Sequence, residues 1–242
     1  MRHIAKQPTP PPSLAGFLQV QLPVGVNLDY DQGFTRKPQL RRELVAEQFG
    51  LCGYTGAPID ERLASLAPIS STGTGQTLPR VSFEAHTEHL KPQSTCRQEL
   101  VARGKRPGID LGEDMDHRNM IAALLVKGAE REQFGAAVRG DTPVPVWPTH
   151  PGCDRRFRYH RNGGVEGRDS GAKETVEVLK LHHGTLCGWR QAALDVFLDP
   201  SVVVTHEDLR ELISRIDQPR NGKLAEYSFV VRSVAVAMLG ED

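Results

Sequence analysis

The first hydrophobic rhythm along the chain is helical. Leu40, Leu44, Val45 and Phe49 fall near helical spacing, with Leu40–Leu44 and Val45–Phe49 each four apart, which predicts a helix over 37–49 that Gly50 stops. Upstream, Pro8, Pro10, Pro11, Pro12 and Pro23 break any such rhythm, so 1–36 is expected to run extended or as polyproline II. The segment 51–56 is turn-rich, and 69–76, with Gly73 and Gly75, reads as a loop. A strand opens at Val81, Ser82 and Phe83 and runs into His86, Thr87, Glu88 and His89, and Pro92 ends or kinks the chain beyond them. The polar stretch 94–116, which holds Gly104, Pro107 and Gly108, reads as an inserted excursion. The most apolar segment, 119–126, suits a strand or a buried helix equally well by pattern.

Beyond this the chain turns from short strands to helices. Residues 158–165 read as a β-hairpin around Asn162-Gly163. Amphipathic stretches come next at 173–181 and 185–198, and Thr205 with Asp208 forms a capping-box pattern before Leu209, Leu212, Ile213 and Ile216. A last helix is expected over 223–239, carrying Phe229, Val230, Val234 and Leu239. No internal repeat is visible. The fold class is α+β in three regions: a proline-rich arm over 1–36, a β-containing centre over 37–170 and a helical part over 171–242.

Composition narrows the setting. Of 242 residues, 30 are Lys or Arg and 30 are Asp or Glu, so the net charge is zero and a DNA-coating role is disfavoured. Local excess remains: 1–42 holds Arg2, Lys6, Arg36, Lys37, Arg41 and Arg42 against Asp29 and Asp31, which fits a solvated arm or one that meets a partner or nucleic acid. Apolar runs such as 120–126 stop far short of the roughly 20 residues that cross a bilayer, and the polar start has no signal-like apolar region; a cytoplasmic protein is expected. Cys52, Cys96, Cys153 and Cys187 form no C-x-x-C pair, so neither a zinc ribbon nor a disulfide mini-fold is indicated.

The chemistry concentrates at His86, Glu88 and His89, with Asn119 thirty positions beyond His89. On a strand His86 and Glu88 share one face and His89 takes the other, unless a turn re-aims it. Glu88 offers a hard oxygen suited to Mg²⁺ or Mn²⁺, and an imidazole can accept a proton from water near neutral pH. An Asn downstream can fix the loop or orient the ring. A surface His–Glu pair without function is the plain alternative for the tetrapeptide alone.

These residues also carry a family resemblance. Glu88-His89-Leu90-Lys91-Pro92-Gln93 followed by Asn119 resembles the ββα-metal core of HNH endonucleases, and the chain is similar to the PtuB-type HNH proteins of Septu and some retron anti-phage systems. Further support lies in Met1-Arg2-His3-Ile4, Cys52-Gly53-Tyr54-Thr55-Gly56, Phe134-Gly135-Ala136 and the run from Pro151 to Tyr159, so the resemblance spans 1–198. It implies an HNH core with surrounding helices. His89 would be the general base, Glu88 a metal ligand and Asn119 the residue that holds the first loop and positions His89. It implies a Mg²⁺- or Mn²⁺-dependent nuclease, DNA the first expectation and RNA or tRNA the second, leaving 5′-phosphate and 3′-hydroxyl ends. The partner would be a PtuA-type ATPase within a defence complex, and a catalytically weak scaffold subunit is the other reading.

The sequence departs from that pattern where a third ligand belongs, since Ala136 and Ala137 stand there; Asp141, Glu132 or His86 would complete the shell. Structural zinc is not expected, because Cys52 is followed by Thr55. Lys91, Arg139, Arg156 and Arg158 are the expected nucleic-acid contacts. The last two belong to a basic cluster with Arg155, His160 and Arg161 that is interleaved with Phe157 and Tyr159, and a solvated strand face explains it as well. Cys153 near His150 fits a thiol nucleophile or a buried turn cysteine, and His182-His183 a helix junction. The glycine loop over 70–76 lacks the Lys-Ser/Thr of a phosphate loop. The apolar stripes of the two last helices suggest docking onto the ATPase, or packing onto the core.

Overall fold

Prolines open two of the helices. The computed structural model describes residues 1–60, 83–127, 132–199, 201–202 and 204–240. Inside the arm expected to be extended, α1 (Pro12–Gln21) forms with proline in its first turn, where the missing N–H would have had no helical partner. Its Leu14 and Phe17 are buried, as are Leu28, Tyr30 and Phe34 further along. Ser13 donates its backbone N–H to Glu43 at 3.1 Å, which ties α1 to α2 (Lys37–Glu47). The arm is therefore core, not a solvated tail: proline sets a helix start when apolar residues come after it at helical spacing. Helix α2 ends short of Phe49 because Phe49 and Gly50 turn left-handed, at φ 54° and 76°.

The segment 119–126 resolves as a strand. β1 (Ile59–Asp60) pairs parallel with β2 (Phe83–His89), and β2 pairs antiparallel with β3 (Met120–Leu124) in a register running from Ala85 opposite Leu124 to His89 opposite Met120. All five β3 residues are buried, so both faces of the strand are covered and no alternation appears in its sequence. The buried Gln48 side chain locks α2 to β3, donating to Ala122 O at 2.8 Å and accepting from Ala122 N–H at 2.6 Å. Part of the expected opening of β2, Val81 and Ser82, and the 69–76 loop lie outside the described residues. In the excursion after β2, α3 (Gln93–Ala102) buries Cys96 and Leu100.

A second sheet, β4 (Phe157–Tyr159) with β5 (Val165–Gly167), is the expected hairpin. Phe157 and Tyr159 are buried and Arg158 is exposed, as strand alternation requires. Gly163 has φ 75°, and a Cβ there would lie 2.0 Å from Cys187 O of the helix behind it. Four helices complete the chain: α5 (Ser170–Val178), α6 (Gly184–Phe197), α7 (His206–Ile216) and α8 (Ser228–Met238). Thr205 and Asp208 do form the capping box. Helix α8 starts later than the apolar pattern indicates, because Asn221, Gly222 and Tyr227 take left-handed turns while Leu224 and Tyr227 donate to Phe49 O and Gly56 O, each at 3.0 Å. Its Phe229, Val230, Val231, Val234 and Ala235 are buried, and it packs against α6, α7 and β4. Of the two readings, docking or packing onto the core, the α8 residues Phe229, Val230 and Val234 follow the second. No helix among the described residues is long and apolar enough to cross a membrane.

Candidate functional site

Glu88 and His89 end β2, and Asn119 fixes the turn they enter. Asn119 immediately precedes β3, so pairing of the two strands brings it beside the β2 end. Its Oδ1 accepts from Lys91 N–H at 2.7 Å, while Nδ2 donates to Lys91 O at 3.1 Å and Glu113 O at 3.2 Å. Leu90 N–H donates to Asn119 O at 2.8 Å. One buried amide thereby holds both peptide groups of Lys91 and the far end of the excursion, which fixes the backbone on which the imidazole sits.

His89 is only 5% exposed. Its Nε2 lies 2.9 Å from Asp114 O; a carbonyl only accepts, so this nitrogen carries hydrogen and Nδ1 holds the lone pair when the ring is neutral. The Gln93 amide faces Nδ1 at 3.2 Å. Turned one way it donates to the lone pair. Turned the other way its oxygen accepts from Nδ1–H while its nitrogen donates to the Asp31 carboxylate at 2.8 and 3.0 Å. The second orientation suits the imidazolium and satisfies both ends of the amide, whereas in the first the amide oxygen faces the Asp31 carboxylate. Tyr30 meets the ring edge-on at 4.6 Å, and its backbone N–H donates to the Asp114 carboxylate at 3.0 Å. Burial lowers the His89 pKa below its usual 6.5, so the ring is a neutral, proton-accepting group at neutral pH.

Glu88 is bound on its other side. Its Oε1 accepts from Arg139 Nη1 at 2.6 Å and from the Tyr54 hydroxyl at 3.4 Å, and its Oε2 lies 3.5 Å from His86 Nε2. Arg139 Nη1 also donates to the Tyr54 oxygen at 3.1 Å, and Nη2 to His89 O at 2.9 Å. Arg139 comes from α4 (Ala136–Arg139), a single turn whose flanking Gly135 and Gly140 both have positive φ. Gly135 N–H donates to Leu179 O at 2.7 Å, which anchors that turn. Burial, then the Glu88 charge, push the Tyr54 hydroxyl pKa well up, so it stays a neutral donor.

Glu88, His89 and Asn119 therefore gather at one end of the β2–β3 pair, while His86 lies further back along β2, opposite Ala123, and reaches Glu88 on the strand face they share. Asp141 does not join them; it is exposed and accepts from Ser94 Oγ at 2.7 Å. Glu132 is exposed as well. Arg139 was expected to contact nucleic acid, but its side chain is 1% exposed and spent on Glu88, Tyr54 and His89, so that expectation is corrected. The Lys91 ammonium lies between Glu113 at 2.7 Å and Glu99 at 2.9 Å, which raises its pKa and offsets its charge. Arg156 grips Asp169 through two bonds of 2.7 and 2.5 Å.

The donor set of the described residues does not fit Mg²⁺ or Mn²⁺. Among the described residues no group of three or more His, Cys, Asp and Glu converges as ligands. The carboxylate best placed for the task already binds a buried guanidinium. Cys52 Sγ accepts from Leu124 N–H at 3.3 Å, and Thr55 Oγ1 accepts from Ala57 N–H at 3.2 Å, so this turn closes on its own hydrogen bonds. Cys153 is a buried turn cysteine whose thiol burial pushes up to about 11, and His150 Nδ1 accepts from Trp147 N–H instead of meeting it. That removes the thiol-nucleophile alternative.

Sequence reasoning missed Tyr54, Gln93, Asp31, Asp114 and Tyr30 as members of the site. Gln93 and Tyr54 do stand within the strings that carry the resemblance, which was the available signal. Asp31 and Tyr30 reach the site from the arm and had none. No protein-family model matches the chain, and no curated protein matches its sequence.

Proposed function

We propose that the chain is a nuclease of the HNH type, hydrolysing nucleic-acid phosphodiester bonds with His89 as general base, and that it acts as effector of an anti-phage complex with a PtuA-type ATPase. The observation that carries this reading is the turn after His89, closed by the Asn119 amide on both peptide groups of Lys91. A base must be held before it can be aimed, and here the Asn119 amide holds the backbone on which its imidazole sits, while Asp114 O fixes its tautomer. In the hydrolysis the Nδ1 lone pair, released by Gln93, takes a proton from water as the water oxygen bonds to phosphorus. The bond from phosphorus to the 3′ oxygen breaks, and that oxygen takes a proton from solvent. Gln93 then turns its oxygen to Nδ1–H and its nitrogen to Asp31, which stabilises the imidazolium.

Two features support a partner. His89 is sheltered by Tyr30 and Gln93, so substrate access needs a shift at this end of the molecule. The run Val20, Leu22, Val24 and Val26 remains exposed between the buried residues of the arm, the kind of apolar surface another protein covers.

The sheltering of His89 also favours a second reading, in which the chain is an HNH-like scaffold subunit with little catalysis of its own. Incubation of the purified chain, alone and with its ATPase, with plasmid DNA, single-stranded DNA and tRNA separates the two, in Mg²⁺, in Mn²⁺ and in EDTA. The nuclease reading expects cleavage of at least one substrate with 5′-phosphate ends. Intact substrates in every arm favour the scaffold.

A further inference from the structure

The Glu88 carboxylate holds a cation, and that cation is part of the chain. Arg139 Nη1 lies 2.6 Å from Glu88 Oε1, with a side chain 1% exposed against 13% for Glu88. It cannot readily swing aside to admit an ion. Nη2 is tied to His89 O, Nη1 is shared with Tyr54, and α4 is a single turn fixed between two left-handed glycines. Nor can it become neutral, because a guanidinium keeps its proton at any working pH. Among the described residues, a divalent ion on Oε2 would have His86 as its one other His, Cys, Asp or Glu donor, and it would lie within a few ångströms of a fixed positive charge in a poorly solvated site. Mg²⁺ tolerates few protein ligands only where carboxylate charge attracts it, and here that charge is already offset.

We propose that Arg139 takes the place of the divalent cation. The Glu88–Arg139 pair is a permanent ion pair, the site binds neither Mg²⁺ nor Mn²⁺, and Arg139 acts as a positioning residue that holds the His89 backbone through its carbonyl. The exclusion of metal stands by itself, while its consequence, a general base working without a divalent ion, rests on the nuclease reading above.

The test reads ion binding, not cleavage, so its outcome is separate from that of the nuclease reading. Metal-stripped full-length protein is titrated with Mn²⁺, with free ion measured by electron paramagnetic resonance, and its melting temperature is compared with and without Mg²⁺. The wild type is expected to leave Mn²⁺ free up to about 1 mM and to melt at the same temperature in Mg²⁺ and EDTA. Arg139→His exchanges the guanidinium for an imidazole beside Glu88 and His86 and is expected to gain Mn²⁺ affinity by at least about tenfold. If that variant fails to fold, the wild type compared with Glu88→Gln decides alone. Tight Mn²⁺ binding by the wild type that Glu88→Gln abolishes overturns the proposal. Binding that survives Glu88→Gln lies elsewhere and leaves this site closed to metal.

Discussion

Two arginines are buried among the described residues, and they are used in opposite ways. Arg139 in α4 faces a carboxylate at 2.6 Å and lies beneath a histidine. Arg190 in α6 has no carboxylate bonded to it among the described residues. It donates to Leu181 O at 2.7 Å and Gly163 O at 3.3 Å, stacks over Tyr159 at 5.2 Å, and leaves Nε and Nη2 without hydrogen-bond partners. Burial lowers its pKa below the usual guanidinium value. Arg190 thus braces the hairpin turn against the helix behind it with its length and its donors, and its charge is a cost. Arg139 does the reverse: its charge is what Glu88 requires. Buried charge by itself does not mark a functional site; what sets Arg139 apart is its carboxylate partner beside the imidazole on which the proposed function rests.

Removing the counter-charge should have the largest effect. Glu88→Ala strands the Arg139 guanidinium and is expected to cost about 3–5 kcal/mol in denaturant unfolding, as for other buried pairs broken on one side. A cost near zero would mean that the pair opens to water. Arg190→Ala removes two carbonyl partners and leaves a cavity under Tyr159, and about 2–4 kcal/mol is expected. The matched pair of methionine variants sharpens the contrast. Arg190→Met keeps volume and discards an unmatched charge but leaves two carbonyls without their donor, so it should cost about 1–3 kcal/mol, whereas Arg139→Met leaves Glu88 unpaired and should cost about 3–5 kcal/mol. Equal losses in the two would erase the distinction between them.

The smallest effect is on pH dependence. Burial puts the folded-state pKa of His89 below the 6.5 of a free ring. Between those values the unfolded chain binds a proton that the folded chain does not. The His89 contribution to stability is therefore intact above pH 6.5 and declines as pH falls toward the folded-state pKa. Melting temperatures of wild type and His89→Gln across pH 5–8 should converge toward the acid end. Parallel curves would show that His89 titrates as a free ring.

Much of this was legible in the sequence, in proportion to how local the determinants are. The capping box at Thr205, the Asn162-Gly163 turn and the α2 periodicity are written within a few residues of one another, and each appears where expected. The β2 end and Asn119 were legible as a pair only through the family resemblance, because the pattern over 119–126 left strand and buried helix open until strand pairing joined them. The Arg139–Glu88 pair was not, since its partners lie 51 positions apart and α4 is too short to leave a helical pattern. The arm misled because proline was read as a breaker, when at a helix start its fixed φ favours the turn. Burial of Phe229, Val230 and Val234 in α8 was open as well, since an apolar face fits a partner or the chain's own core and only tertiary packing decides.

Everything functional turns on whether His89 does chemistry. The most direct measurement is the single-turnover rate of nucleic-acid cleavage, in the ATPase-containing complex, by wild type and His89→Ala. Removal of a general base is expected to lower that rate about 10²–10⁴-fold with folding unchanged by circular dichroism. Cleavage by His89→Ala at the wild-type rate would contradict the account.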